Sequence, residues 1–377
     1  MAHLCVLYVC DARTQQLNGF LKERIVLKTE IVKINIDNID ISKVKYAAQV
    51  LRDGGLVAFP TETVYGLGAD ALNEEAVKKI FEAKGRPSDN PLIVHVADKN
   101  SVENLVSYIP DKAFYLMDKF WPGPLTLVLE KLLIIPEIIT AGLDTVAVRV
   151  PSHPISLALI REAGIPVAAP SANVSGKPSP TDSKHVINDL NGKVDVIIDG
   201  GLSDIGVEST VVDMVLDPPM LLRPGGITVE QLESVLGRIQ IDSSIAKKSL
   251  GDSVIPRSPG MKYKHYAPKA EVIIVEGEQE KTVLRINEMA RDYRDKGIKV
   301  GVLATDQTIH LYPELLAVTL GSRLSPGTIA ANLFKAFRDF DKTDVQVILA
   351  EAVDISGIGF AVMNRMKKAA GYNIIEV

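Results

Sequence analysis

Apolar and polar positions alternate over residues 31–36 (IVKINI), the period of a strand with one buried face. The period then changes. In Ser42–Arg52 apolar residues recur every three to four positions, which predicts an amphipathic helix, and Gly54–Gly55 stop it. Leu56–Phe59 predicts a short buried strand and Glu74–Ala83 a helix. Pro91–Val96 predicts a strand, and Ser101–Val106 and Asp111–Phe120 predict helices. Leu125–Leu129, Thr145–Val150 and Pro166–Ala169 predict further strands. The alternation runs to about Val235 and points to an α/β or α+β domain with helices packed on a sheet. Residues 240–270 carry Ser243–Ser244, Pro256, Pro259–Gly260 and Pro268 and no strong period, as a linker or long ordered loop does. Beyond them, Glu271–Val275, Lys299–Ala304 and Val345–Glu351 predict strands, and Lys281–Lys296 and Ile329–Asp339 helices. That order reads as a small doubly wound (Rossmann-like) α/β domain.

Length and charge narrow the function. A chain of 377 residues can fill two domain cores without disulfides or structural metals. Its net charge of −5 argues against a protein that coats nucleic acid through bulk charge. No apolar run approaches the ~18–20 residues that span a bilayer, so no membrane role is expected. The only cysteines, Cys5 and Cys10, cannot make a disulfide framework or a four-ligand zinc site, and their scarcity suits a reducing, cytoplasmic setting. Six scattered histidines with no HExxH pair make a metal hydrolase a poor reading. His3–Cys10 is a short apolar run that no Lys or Arg precedes, so residues 1–30 read as an accessory extension rather than a secretory leader.

Several strands and helices end in loops rich in hydroxyl, amide or basic groups, where open α/β sheets place their ligands. Phe59–Gly68 (FPTETVYGLG) sets Thr61, Glu62, Thr63 and Tyr65 directly after a strand; a plain turn with hydroxyls satisfying backbone groups explains it about equally well. Lys84 and Arg86 flank a helix end that Gly85 and Pro87 break, a plausible polyphosphate clamp of point charge and planar fork. The bland alternative is a pair of dipole partners. Arg149 sits in the apolar strand TVAVRV, where alternation groups it with Thr145 and Ala147. Buried there it needs an anion, and a ligand carboxylate is favoured over an internal salt bridge. Val167–Gly176 offers Ser171 and Asn173, Gly206–Thr210 offers Ser209, and Arg223 precedes Pro224–Gly225–Gly226. Convergence of Lys84, Arg86, Arg149 and Arg223 would hold a highly charged anion such as a nucleoside triphosphate. There is no P-loop, no GxGxxG after a strand and no GxSxG elbow, so binding by positioning and charge neutralisation fits better than a protein nucleophile. Arg257–Lys269 interleaves bases with Tyr263, His265 and Tyr266: a solvated linker, an RNA contact or a lid.

The segments FPTETVYGLGADA, KGRPSDNPLIVH, WPGPLT, TVAVRVP, APSANVSGKPSPT, GVESTVVD, LLRPGG and SPGMKYKHYAPKA, in this order, resemble the YrdC-type threonylcarbamoyl-AMP synthases in their long, two-domain form. The resemblance implies a YrdC-like twisted mixed sheet over 31–238, a basic Pro/Tyr linker over 239–270 acting as a lid, and a C-terminal α/β domain over 271–377. It implies that L-threonine, bicarbonate or CO2 and ATP, with Mg2+ carried by ATP, give L-threonylcarbamoyl-AMP, pyrophosphate and water. The product would supply N6-threonylcarbamoyladenosine at position 37 of tRNAs reading ANN codons, through a separate transferase complex. Carried over residue by residue, Lys84, Arg86, Ser88, Thr145, Ser171, Asn173, Ser179, Arg223 and Tyr263 would contact ATP. Thr61, His95, Arg149, Ala169 and Ser209 would contact threonine. The alternative is an RNA-binding module without turnover, weak RNA binding being compatible with the basic linker. A carbamoyl-phosphate-using maturation factor is disfavoured, because such chains carry cysteine-rich zinc modules.

Overall fold

The computed structural model describes residues 28–245 and 265–377. Tyr263, and most of the basic linker, lie outside the described residues. The chain opens with β1 (Glu30–Lys33), α1 (Ile41–Arg52), β2 (Val57–Phe59), β3 (Gly66–Asp70) and α2 (Glu74–Lys84). It continues with β4 (Ile93–His95), α3 (Asp111–Phe120), β5 (Leu125–Glu130), α4 (Glu137–Thr140), β6 (Thr145–Arg149), α5 (Pro154–Ala163) and β7 (Val167–Ala168). Then come α6 (Ser183–Leu190), β8 (Val196–Asp199), β9 (Thr210–Asp213), β10 (Met220–Arg223), α7 (Val229–Leu236) and β11 (Gln240–Ile241). These eleven strands form one mixed sheet in the order β1-β8-β2-β3-β7-β4-β6-β5-β9-β10-β11. The strands send alternate residues to opposite faces. Leu56 and Ala58 join one core cluster and Val57 and Phe59 another.

The remaining elements are β12 (Glu271–Glu276), α8 (Gln279–Asp295), β13 (Val300–Ala304), β14 (Leu316–Thr319), α9 (Pro326–Phe340), β15 (Val347–Glu351), α10 (Gly359–Ala369) and β16 (Ile374–Glu376). They build a wholly parallel sheet in the order β14-β13-β15-β12-β16. Val272 and Ile274 face the core beneath α9 and α10, and Ile273 and Val275 face α8, so the sheet is covered on both sides.

The two units share an apolar contact. Val64 and Val207 of the first bury in the core of the second, together with Tyr266. Tyr266 stacks on Phe334 with ring centroids 5.3 Å apart. Gly206, at φ 77°, lies where a Cβ would meet the Ala331 Cα at 2.4 Å, so only glycine lets α9 approach. Arg338 of α9 donates to the Pro178 carbonyl and to Asp189 at 2.9 Å.

Several local expectations change. Residues 66–70 form β3, pairing with β2 and β7. Two glycines hid this strand: Gly68 has no room for a Cβ between Phe59 and Val167. Residues 100–104 are a single 3-10 turn rather than an α-helix, and the first strand stops at Lys33. Helices α5, α6 and α10 and strands β8, β9, β10, β14 and β16 also form where no element was assigned.

Candidate active site

A cavity open to solvent sits against the middle of the large sheet. Strand ends supply its wall. Thr61 follows β2, His95 ends β4, Arg149 ends β6, Ala169 and Ser171 follow β7, Ser209 precedes β9, and Arg223 ends β10. Arg86, Asn173 and Ser179 complete the group of expected residues on the wall. Ten residues up to 162 positions apart in the sequence thus meet around one volume.

Three expected residues do not line it. Lys84 turns inward: its Nζ donates to the Ser171 carbonyl and, at 2.7 Å, to the Asn173 carbonyl. Burial, with Arg86 nearby, holds its pKa well below the usual lysine range. It props the loop that carries two wall residues. Ser88 is exposed in the loop after α2. Thr145 begins β6, half-buried, four residues and so about 13 Å of strand from Arg149.

Arg149 is buried and already has an internal carboxylate: its NH2 lies 2.6 Å from Glu62 Oε1. Its NH1 donates to Thr63 Oγ1 at 3.0 Å and its Nε to the Gly123 carbonyl at 3.2 Å. The internal salt bridge, disfavoured on sequence, is therefore present. A guanidinium has five N–H donors, and three are accounted for here, so two remain for a second anion. Burial would raise the Glu62 pKa, but Arg149 more than offsets it and holds the carboxyl below its usual range. Among the described residues, neither Glu62 Oε2 nor His95 Nδ1 has a hydrogen-bond partner. Burial, then Arg149, pulls His95 down to about 3, so its imidazole is neutral at physiological pH.

Elsewhere on the wall, Arg223 donates from Nε to the Ser209 carbonyl and from NH2 to Ser209 Oγ, both at 3.0 Å. Ser209 Oγ also shares a 2.7 Å hydrogen bond with Thr126. Ser179 donates to Glu208 Oε1 at 2.6 Å. Asn173 Nδ2 donates to the carbonyls of Val174 and Lys177. Arg86 donates to the Asn90 and Pro91 carbonyls and sits over the Phe81 ring. Burial lowers both Arg86 and Arg223 to about 10, which leaves them charged at neutral pH. The Ala169 N–H is spent on Ile93.

Lys177, Glu208, His265 and Tyr266, which were not among the expected site residues, also line the cavity. Glu208 lay in the quoted GVEST segment, and His265 and Tyr266 in KYKHYAP, so the signal was the motif itself rather than residue type. Tyr266 carries φ 67°, a left-handed conformation uncommon for a bulky residue, and it places the ring between the cavity and the second domain.

Fold and site define a two-unit α/β protein that offers an anionic small molecule three guanidinium groups amid hydroxyls. Comparisons with known proteins agree. A family model described as Telomere recombination (Sua5/YciO/YrdC) matches residues 49–225, and one described as Threonylcarbamoyl-AMP synthase, C-terminal domain, matches 227–371. A threonylcarbamoyl-AMP synthase of Pyrococcus abyssi is 53% identical over 345 residues, 91% of this chain and 99% of that one. One of Bacillus subtilis is 52% identical over 335 residues, 89% of this chain and 94% of that one. The crystal structure of P. abyssi Sua5 complexed with L-threonine superposes with a TM-score of 0.88 at 52% identity, covering 93% of this chain and all of the other. The chain belongs to the threonylcarbamoyl-AMP synthase family, and it is an enzyme. Among the described residues no helix is long and apolar enough to cross a membrane.

Proposed function

We propose that the cavity joins L-threonine, bicarbonate or CO2 and ATP into L-threonylcarbamoyl-AMP, releasing pyrophosphate and water. The observation that carries this is the wall itself: Arg86, Arg149 and Arg223 around one volume, with Thr61, Ser171, Asn173, Ser179 and Ser209 between them. The threonine-bound relative supports the amino-acid half of the reading. Threonine binds beside β4 and β6. Arg149 holds its carboxylate with the two donors left over from Glu62, Thr63 and Gly123. Neutral His95 lies beside it without repelling its amine. Thr61, Ser209 and the Ala169 carbonyl complete that side. ATP binds towards Arg86, Arg223, Ser171, Asn173 and Ser179, with Lys84 holding the carbonyls of the Ser171–Asn173 loop in place. Ser88 and Thr145 reach the nucleotide only where it extends past the wall described above.

The chemistry needs no protein nucleophile. The threonine amine attacks bicarbonate, with loss of water, or CO2, with loss of a proton, to give a carbamate. The carbamate oxygen attacks the α-phosphorus, and pyrophosphate leaves. The arginines neutralise charge that grows on the phosphates, in a cavity where such interactions are stronger than in water. Mg2+ arrives on the triphosphate and adds to that neutralisation. Glu208 is engaged by Ser179 and Arg365, and phosphate oxygens of ATP would be the ligands of its Mg2+. The product supplies a tRNA threonylcarbamoyl transferase complex, and the basic linker allows weak RNA contact. His265 and Tyr266 on the wall support the linker as a cover over the site.

The test is pyrophosphate release from ATP with Mg2+ and bicarbonate, with and without L-threonine. Release that depends on threonine, with serine much weaker, is expected. Salt-sensitive RNA binding with no release would favour the RNA-binding module instead.

A further inference from the structure

The second domain sends a buried cation against the cavity wall. Arg365 of α10 is fully buried. Its Nε donates to Glu208 Oε2 at 3.0 Å, and its NH1 donates to the Pro224 carbonyl. Glu208 lies 157 positions away, in the first domain, and is itself a wall residue. Through its other oxygen Glu208 holds Ser179, also on the wall. Arg365 further sits 5.8 Å from the centroid of the Tyr266 ring, the residue that lines the cavity from the linker side. Pro224 directly follows Arg223. One guanidinium thus touches three parts of the wall at once: the Glu208–Ser179 pair, the end of β10 and Tyr266.

Two features separate this contact from an ordinary domain anchor. The interface already has one in Arg338, bonded to Pro178 and Asp189. Among the described residues, Arg365 NH2 is buried with no partner, a cost that a purely structural anchor would avoid by a better fit. Glu208, in turn, is a carboxylate beside the volume proposed for a triphosphate. Unpaired, it would repel that anion; burial pushes its pKa up, yet Arg365 and Arg223 keep it below the usual range and ionised.

We propose that Arg365 is a positioning residue for the synthase reaction: the C-terminal domain supplies the cation that neutralises and orients Glu208, and through it Ser179, so that the cavity accepts ATP. The proposal rests on the nucleotide side assigned above. It makes the second domain part of the binding site rather than an appendage, and it confines the effect to one substrate.

The experiment uses the full chain. ATP affinity is read by titration calorimetry, and KM for ATP and for threonine by pyrophosphate release. In Arg365→Met the ATP dissociation constant and ATP KM rise about tenfold or more, while threonine KM stays within about twofold. Adding Glu208→Gln to Arg365→Met removes the stranded charge, so the double variant binds ATP better than Arg365→Met alone. Equal losses for both substrates, or effects of the two substitutions that simply add, would show a packing role and overturn the proposal. Should Arg365→Met not fold, Arg365→Lys takes its place: a severalfold rise confined to ATP supports the proposal, and no rise, or failure of this variant to fold as well, overturns it. Wild-type ATP binding without threonine-dependent release counts against the reaction proposed above and leaves Arg365 to be judged on affinity. Equal ATP affinity in wild type and Arg365→Met counts against Arg365 alone, and no ATP binding by the wild type sinks both.

Discussion

Each sheet buries a carboxylate near a strand end and sets an arginine against it, yet the two arrangements are finished differently. In the C-terminal domain, Glu351 at the end of β15 receives Thr308 at 2.8 Å and Tyr312 at 2.8 Å, Thr305 at 3.2 Å and Arg323 at 3.0 Å. Both its oxygens are engaged. In the N-terminal domain, Glu62 meets Arg149 through one oxygen, and among the described residues its other oxygen and His95 Nδ1 have no partner. A buried polar atom without a partner costs about 1–3 kcal/mol, so a fold tolerates it where something else repays it. The saturated cluster does structural work alone. The unsaturated one lies beside the cavity and keeps hydrogen-bonding capacity in reserve for a ligand.

The contrast can be broken by experiment. Arg149→Met strands the Glu62 charge in a dry site and removes the fork proposed for the threonine carboxylate. It should abolish threonine-dependent pyrophosphate release and cost about 3–5 kcal/mol of stability in urea unfolding. Substantial turnover in a folded variant would show that the site does not use this arginine. Glu351→Gln should cost less, about 2–3 kcal/mol, because Arg323 is partly exposed and can rehydrate. Its KM values for ATP and threonine should match wild type below the unfolding transition; a shift in either would mean that the saturated cluster also serves the reaction.

The smallest effect sharpens the comparison through pH. His95 has a folded pKa of about 3 against 6.5 unfolded. Between those values the unfolded chain binds the extra proton, so stability is present above about 6.5 and is lost as pH falls towards 3. From neutral pH to about 5 this histidine accounts for about 2 kcal/mol. His95→Gln should flatten the stability–pH curve by that amount, His185 and His265 leaving a residual slope through the same burial effect. Parallel curves for variant and wild type would place the titration elsewhere.

Much of this was readable from the chain. Helices α1, α2, α3 and α8 and strands β5, β6, β12, β13 and β15 follow from apolar period, because each buries a face against its own sheet. Ten of the fourteen expected site residues line the cavity, since most of the motifs that carry them end strands. What period could not reach were short strands such as β3 and β11, where neighbours rather than propensity decide the state. The orientation of individual polar groups was equally hidden. Lys84 looks like a phosphate clamp in sequence and points at two backbone carbonyls 87 and 89 positions away.

The sequence by itself determined the two-domain plan, the order of elements and the polar content of the strand-end loops, all of which depend on neighbours within a turn or a strand. The tertiary structure alone decided which charge meets which. Arg149 against Glu62, Arg323 against Glu351 and Arg365 against Glu208 are separated by 87, 28 and 157 positions. Such pairs are set by strand order and by how the two sheets dock, and a buried charge is stable only beside the partner that this packing delivers.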